Sequence, residues 1–125
     1  MVAVHLLPYW DGIPVEEGVE ALEERFAQMQ AAFPDKKIVI AEAGWPSRGE
    51  RRDGAVPSVA GEARFIHEFI ARAKQRGYDY YLLEAFDQPW KVGWEGAVGD
   101  SWGLFGPEGQ WKFDLLPSAE GGPTE

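Results

Sequence analysis

Three short apolar runs separated by two long amphipathic segments constrain this chain more than any other feature, because that alternation leaves few ways to build a core. Val2-Ala3-Val4-His5-Leu6-Leu7-Pro8 reads as a buried strand closed by its proline. From Val15 to Phe33 the apolar residues Val19, Leu22, Phe26, Met29, Ala32 and Phe33 recur at three-and-four spacing, the period of an amphipathic helix bracketed by Pro14 and Pro34. Lys37 to Ala43 is a second strand, rich in β-branched residues. Gly61 to Arg76 is a second helix, with Phe65, Ile66, Phe69, Ile70 and Ala73 on one side and Gly77 to end it. Tyr78 to Phe86, aromatic and aliphatic, is a third strand. Strand, helix, strand, helix, strand predicts a parallel α/β sheet with right-handed crossovers, whose ligands collect at the carboxyl ends of the strands. Three strands do not close a barrel by themselves.

Composition narrows the partners. The 125 residues are 45% apolar, enough for one core, and carry 21 acidic against 12 basic side chains, a net charge of −9. That balance argues against nucleic acid or an anionic membrane surface, either of which requires clustered Lys and Arg, and favours a neutral ligand. No run approaches the ~18 apolar residues of a membrane span, and no signal-peptide pattern follows Met1, so the segment is expected to be soluble without membrane contact. The chain has no cysteine, which excludes disulfides, thiol catalysis and Cys-based zinc sites. Ser47 to Val59 has the composition of an exposed loop, and loops of that length in compact domains are usually functional. Gln88 to Trp111 reads as an ordered loop with a hairpin near Pro107-Glu108-Gly109, and the end of the chain reads as a mobile polar tail.

Chemistry concentrates where the strands stop. Ala41-Glu42-Ala43-Gly44-Trp45-Pro46-Ser47-Arg48 hangs a carboxylate and an indole off the second strand. Simple alternation sends Ile38, Ile40 and Glu42 to one face and Val39 with Ala41 to the other. Tyr9 and Glu84 fall at the corresponding ends of the first and third strands. Glycoside cleavage needs two carboxyl groups flanking the scissile bond, and inside this chain Glu84 or Asp87 could partner Glu42. Either could equally serve as a structural carboxylate that orients its neighbours. Trp10, Trp45, Trp90, Trp94 and Trp102 all lie in or beside loops, where indoles either plug apolar layers or stack on sugar rings. Packing is the more ordinary role for any one of them, and Trp45, beside Glu42, is the best exception. His5 and His67 lack metal-ligand spacing; by alternation His5 shares a side with Tyr9, and His67 belongs to a helix surface. No phosphate-binding glycine loop is present, and Arg48 to Arg52 reads as a solvated loop. No metal or cofactor is predicted.

These residues resemble a known family. Ile38-Val39-Ile40-Ala41-Glu42-Ala43-Gly44-Trp45-Pro46-Ser47-Arg48-Gly49 is similar to the signature of glycoside hydrolase family 17, the β-1,3-glucanases and related bacterial glucosyltransferases. His5-Leu6-Leu7-Pro8-Tyr9-Trp10, Glu84-Ala85-Phe86-Asp87-Gln88-Pro89-Trp90-Lys91, Ser101-Trp102-Gly103-Leu104-Phe105 and Trp111-Lys112 agree in order, so the resemblance runs from residue 2 to about residue 116. It implies part of a (β/α)₈ barrel, with the three strands in positions six, seven and eight, residues 1–116 as the carboxyl-terminal portion of the domain and 117–125 as a flexible tail. It implies a retaining mechanism with Glu42 as nucleophile, Tyr9, Trp45 and Trp102 lining the sugar site, Glu84 with Lys91 supporting charge, and Asp87 beside them. The substrate implied is a β-glucan, in an extracytoplasmic compartment. The family's general acid/base is the Glu of an Asn-Glu pair after the fourth strand, and this sequence contains no Asn. The expectation is therefore a portion of a catalytic domain, inactive alone and prone to self-association through open barrel edges. The alternatives are a carbohydrate-binding module without catalysis and a structural half-barrel.

Overall fold

In the computed structural model, residues 1–114 are described, apart from the side chains of Trp94 and Glu95; the expected boundary at residue 116 and the tail beyond it lie outside the described residues. The elements are β1 (Val2–Leu6), α1 (Val15–Ala32), β2 (Ile38–Ala43), α2 (Val59–Arg76), β3 (Asp79–Leu82) and a short α3 (Val92–Glu95), with 3₁₀ turns at Pro8–Asp11, Pro89–Lys91 and Gly96–Val98. The strands are parallel and lie in the order β1-β2-β3. Consecutive parallel strands joined by right-handed crossovers put both helices on the same face, the arrangement of a barrel wall and not of a doubly wound sheet.

The core fills the space between the sheet and these helices. Ile38 and Ile40 are buried from β2, with Val2, Val4 and Leu6 from β1 packed into the same cluster. Val19, Leu22 and Phe26 meet them from α1, and Phe65, Ile66, Phe69 and Ala73 from α2. The two helices are tied to each other on their outer side, where Glu23 of α1 pairs with Arg72 and, at 2.9 Å, with Arg76 of α2. Ser58 caps α2 by accepting a hydrogen bond from the Gly61 amide at 2.8 Å, and Gly77 ends the helix at φ +70°, where a Cβ would be strained.

Among the described residues, no helix lies on the opposite face of the sheet. Ala3 and His5 are exposed there, and Tyr81 is 68% exposed, whereas its neighbour Tyr80 packs edge-on against Phe69 of α2. The pleat is interrupted on β2: Val4 pairs with Ile40, but the next residue of β1, His5, pairs with Glu42, so β2 carries an extra residue at Ala41. The β2–β3 register slips over the same stretch. This corrects the alternation expected from sequence, because the bulge turns Glu42 away from the side of Ile38 and Ile40 and beside His5 on the helix-free face.

The third strand is shorter than its apolar run. After Leu83, whose amide still donates to the Ala43 carbonyl, the chain leaves β2 and pairs with residues 102–105: the Glu84 amide donates to the Trp102 carbonyl and the Leu104 amide to the Glu84 carbonyl. Gly103 makes this approach possible, since a Cβ there would lie 2.2 Å from the Asp87 nitrogen. The segment from Gln88 to Trp111, expected as an ordered loop with a hairpin near Pro107-Glu108-Gly109, contains the short helical turns above and then a tight hairpin at that place. In that hairpin Phe105 bridges Trp111 and Gly109 takes φ +86°.

Phe69 is fully buried between α2 and Tyr80, so Phe69→Ala is expected to cost ~3–5 kcal/mol in urea unfolding. Val59→Ala, at an exposed position of the same helix, should stay within ~0.5 kcal/mol of the parent protein.

Candidate active site

The candidate site is built on the carboxyl ends of the three strands. Glu42 ends β2 with its carboxylate partly exposed, and its Oε1 lies 3.0 Å from His5 Nδ1 on β1. Directly after it the backbone passes so close to β3 that a Cβ on Gly44 would sit 2.2 Å from the Leu83 carbonyl oxygen, and only glycine fits. Glu84, two residues past β3, pairs through Oε1 with Lys91 Nζ at 2.8 Å, with both side chains largely buried. The other Glu84 oxygen is buried without a hydrogen bond among the described residues. The two candidate carboxylates thus have separate partners, an imidazole for Glu42 and an ammonium for Glu84.

The aromatic residues expected to line a sugar site are placed differently. Trp45 is 0%, Trp102 1% and Tyr9 3% exposed, so none offers a ring face to a ligand. Trp45 stacks on Phe65 of α2 at 6.0 Å and its indole N–H donates to the Val56 carbonyl at 3.3 Å. Trp102 stacks on Trp10 at 6.2 Å, and Tyr9 meets Trp10, Trp45 and Trp102 edge-on. The Tyr9 hydroxyl donates to the Glu50 carbonyl at 2.6 Å, and burial raises its pKa against the pull of Arg52. These three residues form an aromatic layer beneath the loops, which is a correction to their expected role as stacking surfaces. The cause is the loop after β2, which folds its indole back over α2. Among the described side chains the exposed indoles are Trp90 at 61% and Trp111 at 54%; Trp90 stands next to Lys91, whose ammonium lies 5.8 Å from its ring.

Asp87 is likewise withdrawn. It is 7% exposed, and its Oδ1 accepts hydrogen bonds from Lys112 Nζ at 2.7 Å and from the Gly103 amide at 2.9 Å. Lys112 also donates to Ser47 Oγ at 2.9 Å, so one buried ammonium joins the loop after β2 to the loop after β3. Beneath it lies Glu62 of α2, fully buried, 3.7 Å from the ammonium and with neither oxygen hydrogen-bonded. Burial pushes the Glu62 carboxyl up to about 9; Lys112 opposes the shift and Asp87 adds to it. Two acids around one ammonium leave a charge too many, and the more deeply buried acid keeps its proton. The sequence carried a signal for this cluster that composition alone does not bring out: Glu62 falls on the apolar stripe of α2, three and four residues before Phe65 and Ile66. Among the other residues weighed from sequence, Arg48 pairs with Asp100 at 2.7 Å, Arg52 donates to the Trp10 carbonyl and covers its ring, and His67 Nε2 meets the Asp114 carbonyl.

A carboxylate on the helix-free face at a strand's carboxyl end, backed by an aromatic layer and a charge-paired second carboxylate, is an arrangement suited to sugar chemistry, and comparison with known proteins agrees. The family model of the BtgE/BtgC glycoside hydrolase domain matches residues 1–103. The chain belongs to that family. It is 32% identical over 146 aligned residues to a probable glucan endo-1,3-beta-glucosidase of Aspergillus clavatus, with 99% of this chain and 20% of the relative covered. A second such protein, from Aspergillus terreus, is 36% identical over 108 residues, covering 72% of this chain and 16% of the relative. Among solved structures, the glycoside hydrolase family 17 beta-1,3-glucanosyltransferase of Rhizomucor miehei superposes with a TM-score of 0.85 at 28% identity, over 91% of this chain and 42% of that one. An active-site mutant of the Rhizomucor enzyme in complex with laminaritriose gives 0.81 at 29% identity, over 87% of this chain and 40% of that one. The BtgE/BtgC segment in this chain therefore spans about a fifth of those two curated relatives and two fifths of a family 17 structure, as a partial (β/α)₈ barrel.

Because the folded protein holds Glu62 protonated up to about pH 9 while the unfolded chain ionises it near 4.5, the native state binds the extra proton across that window. Its contribution to stability therefore falls as pH rises, by at most ~1.4 kcal/mol per pH unit. Glu62→Gln is expected to flatten this decline and to gain stability over the parent progressively from pH 5 to 9, read from urea melts at several pH values; an unchanged pH profile would rule out a buried neutral Glu62.

Proposed function

We propose that this segment supplies the nucleophile of a retaining β-1,3-glucan glycosidase or transglycosylase, with Glu42 as the attacking carboxylate. The observation that carries the proposal is the position of Glu42: at the carboxyl end of the middle strand, on the face that has no helix, and with an imidazole beside it. In a closed barrel that face is the interior, and the strand ends at its rim are where substrate binds. Attack by one Glu42 oxygen on an anomeric carbon would break the glycosidic bond, releasing the leaving sugar as its protonated hydroxyl, and form a glycosyl-enzyme ester, which water resolves by hydrolysis or a sugar hydroxyl by transfer, freeing the Glu42 carboxylate. The relatives' names, glucosidase in one case and glucanosyltransferase in the other, correspond to these two fates of one intermediate.

Around Glu42, Glu84 and Lys91 place a balanced charge pair at the neighbouring strand end, suited to hydrogen-bonding sugar hydroxyls. The exposed Trp90 ring offers the apolar platform that the buried Trp45 and Trp102 do not. Tyr9, Trp45, Trp102 and Asp87 act one layer behind, holding the loops that carry these groups.

A retaining mechanism also needs a carboxylic acid ~5 Å from the nucleophile to protonate the leaving oxygen. Glu84 is engaged by Lys91, Asp87 by Lys112, and the chain has no Asn-Glu pair. Losing the acid forfeits roughly 10²- to 10⁴-fold in rate, and an open sheet loses the positioning walls as well. The chain alone is therefore expected to release no reducing sugar from a β-1,3-glucan; release that disappears in Glu42→Gln would overturn the inactivity while keeping the nucleophile. In a glucan-cleaving domain that contains this segment, a 2-fluoro glucosyl donor with an activated leaving group should leave its adduct on the Glu42 peptide. An adduct on another carboxylate would refute the assignment. Glucan binding by the isolated chain that is indifferent to Glu42→Gln, with no adduct in the complete domain, would favour a binding module, the reading that the exposed Trp90 and Trp111 support.

The open face also predicts behaviour in solution. β1 and β3 are both edge strands, and Tyr81, Phe86 and Trp111 are exposed on or next to the sheet. The isolated chain is expected to self-associate at high micromolar concentration in light scattering; a monomer there would count against it.

A further inference from the structure

Neither histidine belongs to the chemistry assigned so far, yet one of them touches its central residue. His5 Nδ1 lies 3.0 Å from Glu42 Oε1, and this contact follows from the extra residue in β2, which sets Glu42, and not Ala41, opposite His5. Among the described residues no Lys or Arg reaches Glu42, and its one titratable neighbour within 4 Å is this imidazole. The His5 side chain is 61% exposed on the helix-free face, so packing against the core does not explain its place. Nε2 has no polar partner among the described residues, and Nδ1 has only the Glu42 oxygen at 3.0 Å, which leaves that contact to decide the tautomer.

We propose that His5 is a positioning residue for Glu42: the imidazole presents its Nδ1 proton to one carboxylate oxygen, fixes the side chain toward the open face, and leaves the second oxygen to attack. This rests on the reading of Glu42 as nucleophile. A free glutamate side chain samples several rotamers, and restricting it to one on the face where sugar arrives removes an entropic part of the barrier before substrate binds. A lysine at this position would supply charge without a fixed donor direction; a ring nitrogen carried on a strand supplies the direction.

The test uses the full chain with isotope-labelled histidine and nitrogen-15 shifts recorded above the imidazole titration. His67 is an internal control, since its Nε2 meets the Asp114 carbonyl and should carry the proton. The expected result is His5 as the Nδ1–H tautomer, kept in Glu42→Gln, where the amide oxygen still accepts, and inverted to Nε2–H in Glu42→Ala. The side-chain couplings of Glu42 should report one rotamer in the parent, averaging in His5→Phe, and recovery in His5→Asn, whose amide nitrogen can take the place of Nδ1, but not in His5→Gln. His5 as Nε2–H in the parent, or Glu42 couplings that ignore the His5 substitutions, would overturn the proposal. Neither result bears on where a glucosyl adduct forms, so a failure here is distinct from a failure of the nucleophile assignment. The exposed position of His5 keeps these substitutions clear of the core.

Discussion

Had the pleat of β2 run on unbroken from Ile40, Glu42 would have followed Ile38 and Ile40 into the layer filled by Leu22, Phe65 and Phe69. An ionised carboxylate in that layer without a partner costs several kcal/mol, enough to consume much of the stability of a small domain. One additional residue at Ala41 avoids this by turning Glu42 to the other face. The same slip sets His5 opposite it and shapes the exit of the strand, after which Gly44 passes within contact distance of Leu83 and Trp45 folds back over α2. The placement of the candidate nucleophile and the burial of the indole three residues later are thus two consequences of one irregularity.

On the helix side a different constraint operates. Lys112 reaches into the protein and binds Ser47 and Asp87 at once, so the loops that follow β2 and β3 cannot move independently. Glu62 beneath them is the energetic cost of that arrangement, an acid kept neutral by its burial in an apolar layer and by Asp87 nearby, against the pull of the ammonium above it. Buried ionic clusters contribute little net stability when compared with apolar packing, and what this one supplies is geometry. It fixes the spacing between the loop after Glu42 and the loop that carries Glu84 and Lys91.

Much of the fold was legible in the sequence because it rests on period. The three-and-four stripes of α1 and α2 and the β-branched run before Glu42 specify helix, strand and parallel order, and the resemblance around Ala41 to Gly49 specifies the family. What period cannot give is a change of period. The bulge at Ala41 has no sequence marker, since Ile-Ala-Glu-Ala reads equally well as a regular strand, and so the face of Glu42 was misassigned. The exposure of the tryptophans escaped for a related reason: a loop indole is buried or presented according to the path of the loop. That path depends on contacts distant in sequence, such as Trp45 with Phe65 and Trp102 with Trp10. Glu62 was visible as an acid on an apolar stripe, but its partner Lys112 lies fifty residues away and comes to it only through the fold.

The two faces of the sheet also differ in completeness, and this bears on how chemistry could be divided along a barrel. The face toward α1 and α2 is closed by residues of this chain, with Ile40, Phe65 and Phe69 fully buried, so a segment of this size contains its own core. The other face, with Glu42, His5 and Tyr81, carries no helix among the described residues, and in a closed (β/α)₈ barrel such a face is walled by the remaining strands. The packed core and the candidate site are therefore separated by the plane of the sheet. On the proposed reading, a nucleophile set beside a residue of the neighbouring strand, as Glu42 is beside His5, can be oriented before a barrel closes. A general acid cannot, because its distance from the nucleophile is set across the barrel and not along its wall.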